Sequence, residues 1–144
     1  MQMFPRWWLW FCVLNCGAIG CAFLFAPDQA ASILIDLPLD NDTTRTDIRA
    51  TYGGMVLGLT LFFIWTGWKK NYQTGLLCAV LVFGGLAFGR MISISLGDQP
   101  GPLSWGFLLV EVTVAIVSSL ITRNLSYQTA SRPPWRTIRQ AWSS

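Results

Sequence analysis

The residues best able to do chemistry in this chain are two ionisable groups set inside long apolar runs, Arg90 and Glu111. A guanidinium only donates hydrogen bonds and a carboxylate only accepts them, so the two suit each other and each also suits a polar ligand. Arg90 stands about six residues before the end of one run. Glu111 stands about seven residues into the next, and only the short turn over residues 97–102 separates the runs. At 1.5 Å per residue both lie roughly 10 Å below the same end of their helices. Neither charge is cheap in hydrocarbon, and pairing is the natural remedy. Arg49 and Tyr52 open another run, while Ser93 and Asp98 follow Arg90. Two readings of this group stand. Arg90 and Glu111 are a structural ion pair that locks two helices, or Arg49, Tyr52, Arg90, Ser93, Asp98 and Glu111 make an outward-facing polar pocket for a carboxylate, a phosphate or a lipid headgroup.

Other chemistry finds little support. The chain has no histidine, which removes the commonest metal ligand and the commonest general base. Cys12, Cys16, Cys21 and Cys78 all lie inside apolar runs and read as small packing residues. No nucleophile motif is present, so no catalytic residue, metal site or cofactor is expected.

The elements that must position Arg90 and Glu111 are four apolar runs, at about residues 7–26, 52–68, 73–96 and 104–122. Each is about long enough to cross a bilayer core as a helix. The composition agrees, with 53% hydrophobic and only 12% charged residues, about half the usual charge of a soluble domain. Of eight tryptophans, Trp7, Trp8, Trp65 and Trp68 stand near run ends, where amphipathic rings prefer the headgroup zone. The fold class is therefore an all-α, four-helix transmembrane bundle. Arg6 before the first run resembles the start of a secretory signal, but the run is long for one and no convincing cleavage site follows. The first run is read as a span that stays, ended by Pro27.

Charge orients the bundle. Asp28, Asp36, Asp40, Asp42 and Asp47 make the first connection acidic, whereas Arg6, Lys69, Lys70 and the C-terminal arginines must share the opposite side. Basic short loops stay in the cytoplasm, so both termini are placed inside. Asp28 is a candidate cap for a short helix or loop on the outer surface, carrying Ile33, Leu34 and Leu37. Residues 43–50 form a polar lead-in to the second span. Gly54 with Gly58, and Gly85 with Gly89, have the spacing that lets helix backbones approach, within the bundle or between copies. Ser104 is a candidate cap for the fourth span. The chain divides into a transmembrane domain, residues 1–122, and a basic tail, residues 123–144. In the tail Trp135, Ile138 and Trp142 share a helical face beside Arg132, Arg136 and Arg139. That segment suits anionic lipid at the cytoplasmic face, and its charge is too sparse for nucleic acid.

The motifs carry a resemblance. Arg49-Ala-x-Tyr52-Gly53-Gly54 opens the second span, Gly89-Arg90-Met91-Ile92-Ser93 closes the third, and Gly97-Asp98-Gln99-Pro100 and Glu111 follow. Together, over about residues 7–122, they resemble a family of small four-span bacterial inner-membrane proteins of unknown function. The resemblance implies a multi-pass place in the bacterial inner membrane and no established activity. The functional expectation is a non-catalytic accessory protein, or a binder of a small amphiphile or anion. Its partners would be membrane lipids, with a second copy or another membrane protein also open. The alternative is a small oligomeric carrier for an anion or lipid. An enzyme using Glu111 as acid or base is the weakest reading.

Overall fold

The computed structural model describes residues 3–130, and the elements among them are helical: α1 (Met3–Phe25), α2 (Pro27–Ile35), α3 (Asp42–Trp68), α4 (Tyr72–Ser95) and α5 (Pro102–Ala130). Four of them, α1, α3, α4 and α5, are long and apolar enough to cross a membrane. The tail face of Trp135, Ile138 and Trp142, with Arg132, Arg136 and Arg139, lies outside the described residues.

Local chemistry sets the ends of these helices. Pro27 begins α2 in the first turn, where its missing N–H costs nothing. Asp28 is therefore not the cap expected of it. It sits in that first turn and bonds Arg45 instead. Asp36 ends α2 in the left-handed region, its N–H donating to the Ala31 carbonyl. The second span starts much earlier than its apolar run, because Asn41 caps α3: its Oδ1 accepts from the Thr44 N–H at 2.8 Å. Within α3, Arg49–Met55 is a π-helical segment. Gly97, with φ 99°, closes α4: its own N–H reaches the Ile94 carbonyl, and the Asp98 N–H reaches that of Ser93. Both bonds make this a Schellman stop, which glycine permits. Pro102 opens α5, so Ser104 lies inside the first turn rather than capping it. The helix then runs on past Thr122 to Ala130.

The four long helices form two hairpins. α1 lies along α3, and α4 lies along α5. One core joins the hairpins: Leu9, Cys12 and Cys16 of α1, Phe63 of α3, Phe83 of α4 and Val114 of α5. A second, smaller core sits at the acidic end, where Phe23, Ala30, Ala31 and Ile48 bring α1, α2 and α3 together. Large apolar side chains such as Leu14, Leu61, Leu81 and Leu109 point outward and are mostly exposed. Lipid is the solvent that suits such a surface.

The close helix approaches fall on glycines other than those singled out by spacing. A Cβ on Gly53 would stand 3.1 Å from the Leu24 backbone, and one on Gly20 would stand 2.8 Å from Leu57 Cγ. One on Gly75 would meet Thr66 Oγ1 at 2.5 Å. Gly58, Gly85 and Gly89 would meet nothing within 4 Å, and Gly54 only the Arg49 carbonyl at 3.8 Å. Within this chain they are not the packing contacts, because the buried stripe of α4 runs through Gly75, Leu76, Ala79, Phe83 and Ala87 instead.

Candidate functional site

Arg90 and Glu111 meet. Arg90 Nε donates to Glu111 Oε1 at 3.1 Å and to Oε2 at 3.0 Å. Arg90 follows the buried α4 stripe, three residues beyond Ala87. Glu111 precedes Val114 and Ser118 on the buried face of α5. The Schellman turn holds the two helices in register, so both residues reach the same level. The Glu111 side chain is 7% exposed, and that of Arg90 is 32% exposed. Phe107 lies one turn from Glu111 and carries the guanidinium over its ring, 5.4 Å from the centroid.

Both hydrogen bonds of Arg90 come from Nε. Its Nη groups have no hydrogen-bond partner among the described residues. A paired arginine thus keeps unspent donors inside a membrane-spanning layer, which is what a polar ligand head requires.

The other expected members of the site are placed differently. Ser93 Oγ donates to the Asp98 carboxylate. Since the Asp98 N–H also bonds the Ser93 carbonyl, that pair fastens the α4–α5 turn. Tyr52 packs its ring on Phe23, centroids 5.1 Å apart. Arg49 is exposed, and among the described residues it forms no ion pair. No bond or ring contact joins Arg49 or Tyr52 to the Arg90–Glu111 pair among the described residues. The segment carrying them packs against α1.

Asn15 is a residue that the sequence reading passed over. Trp8 Nε1 donates to Ser118 Oγ at 2.9 Å, which fixes the register between antiparallel α1 and α5. Asn15 is seven residues on from Trp8, and Glu111 is seven residues back from Ser118. Seven residues are about two turns, so each returns to its own face and both stand at one level. Asn15 is half-buried, and its amide makes no hydrogen bond among the described residues. The available signal was a lone amide among Trp, Leu and Cys, which says nothing until a partner helix gives it a level.

Four helices fit to span a bilayer and a buried charge pair define the class, a multi-pass membrane protein. The chain belongs to the family described as Domain of unknown function (DUF4345), whose model matches residues 4–122. No curated protein and no solved structure matches it.

Proposed function

We propose that this protein is a non-catalytic component of the bacterial inner membrane that holds the polar head of a small amphiphile or anion at Arg90. The unspent Nη donors of Arg90 carry this reading, beside a Glu111 that already balances its charge. Those donors are not buried within the protein, the Arg90 side chain being 32% exposed, so they stay open to a ligand head. The acidic connection and α2 face outward in this proposal. Arg6, Lys69, Lys70 and the tail stay in the cytoplasm, where the tail adds attraction to anionic lipid.

Mass spectrometry of the intact protein purified with native lipid tests the reading. The wild type should retain a specific amphiphile or anion that Arg90→Met and the double variant Arg90→Met/Glu111→Gln both lose. Retention unchanged in both would refute it. Orientation has its own test. Reporter fusions after Trp68 and Ser144 should read cytoplasmic, and one after Asp42 periplasmic. A periplasmic reading at Ser144 would overturn the topology.

A further inference from the structure

We infer that the head held at Arg90 is uncharged and rich in acceptor oxygens, that Asn15 is a second residue holding it, and that its single chain lies in the groove between α1 and α5. This rests on the binding reading above and narrows the ligand class.

Arg90 and Glu111 together are neutral, because the carboxylate takes both Nε bonds. An added anion would leave one uncompensated negative charge in a layer of low dielectric, a costly outcome. An ester, ketone or hydroxyl head accepts from the Nη groups and leaves the charge balance untouched. The carboxamide of Asn15 stands at the same level with no partner among the described residues. It both donates and accepts, which suits hydroxyl or carbonyl oxygens and gives nothing special to a carboxylate.

From about that level toward the basic end, with Asn15 one turn above Phe11, a groove of about 180 Å³ opens between Trp8 and Phe11 of α1 and Leu109, Val110, Thr113 and Val114 of α5. The Thr113 hydroxyl is spent on the Leu109 carbonyl, so the lining is effectively apolar. Further along the same two helices a larger groove, about 660 Å³, runs past Phe4, Pro5, Val117 and Ile121. From Leu109 to Leu125 the α5 residues that line the two span roughly 24 Å of helix, at 1.5 Å per residue. Both lie on membrane-spanning segments, so what surrounds them is acyl chains. A polar head site beside two apolar grooves in line along one helix pair is the outline of a single-chain amphiphile.

The full-length protein in lipid nanodiscs, offered 1-monooleoylglycerol or oleate in equal amounts, tests this by native mass spectrometry. The two probes share one chain and differ in head charge. The wild type should retain the monoacylglycerol over oleate. Asn15→Leu should lower that retention about tenfold, the loss of one hydrogen bond, with no fall in Tm. Asn15→Ala provides the same reading should the leucine disturb folding. Val110→Trp, which fills the groove and leaves the polar groups alone, should abolish retention without changing the oligomeric mass. Preference for oleate, retention by both Asn15 variants equal to that of the wild type, or a Val110→Trp variant that changes oligomeric mass would each overturn the inference. If the wild type holds a native amphiphile lost in Arg90→Met but takes up neither probe, this inference fails and the binding reading stands. If it holds no amphiphile at all, both fall.

Discussion

Arg45 and Arg90 are equally exposed, at 31% and 32%, and each is held by carboxylate, yet they sit in opposite kinds of surroundings. Arg45 ties α2 to the start of α3 through Asp28 at 3.0 Å and Asp42 at 2.6 Å, and those partners are 54% and 98% exposed. Arg90 has one carboxylate partner among the described residues, Glu111, at 7% exposure. Exposure of the arginine therefore does not decide what the pair is worth. A carboxylate left in water is already solvated, and its pairing contributes little. A carboxylate buried in a bilayer helix has no substitute partner, so breaking the pair strands it.

The largest effect is expected at Glu111. Glu111→Gln leaves a guanidinium that cannot shed its charge, and detergent-solubilised melting should show a loss of about 3–5 kcal/mol. Arg90→Met should cost less, because a stranded carboxylate can take up a proton. The double variant should lose less than the two singles added together, and additive losses would mean the pair is not coupled. Next in size, Phe107→Leu removes the ring under the guanidinium. A fall of about 1–2 kcal/mol in the same assay is expected for a partly desolvated contact. Arg45→Met should cost under about 1 kcal/mol, and less still in high salt, which screens exposed pairs. Were Arg45→Met as damaging as Glu111→Gln, burial of the partner would not be the deciding variable. Asp42→Asn, at the most exposed partner, should leave melting unchanged.

What the sequence made legible follows the same line between short and long range. Four spans could be read from hydropathy, and the meeting of Arg90 with Glu111 could be read from two depths and one tight turn. The polar lead-in over residues 43–50 points to a start of α3 outside the apolar run, but its first residue cannot be read, because hydropathy marks where the hydrocarbon starts and not where the backbone ladder starts. Asn41 caps that helix well outside the apolar run. Glycine spacing named Gly54, Gly58, Gly85 and Gly89, while the tight approaches are at Gly20, Gly53 and Gly75. Each of those three needs a partner helix at a given rotation, information that no single helix contains. Depth alone groups Arg49 and Tyr52 with Arg90. Depth does not say which hairpin neighbours which, and their segment belongs with α1. Asn15 was hidden for the same reason until Trp8 and Ser118 supplied the register.

The π segment over Arg49–Met55 has a consequence for how this chain can change length. In an α-helix every residue turns the chain by about 100°, so losing one normally rotates everything beyond it onto another face. A π turn closes its rings one residue later than an α turn and so carries a residue in surplus. Deleting Ala50 or Thr51 would let the segment relax to α with both flanks still in phase. Gly53 would keep its seat against Leu24, and Phe63 its place in the shared core. One residue removed at Leu59 or Leu61 would have no such refuge. The second span thus holds a single unit of slack, stored between its polar lead-in and its apolar body.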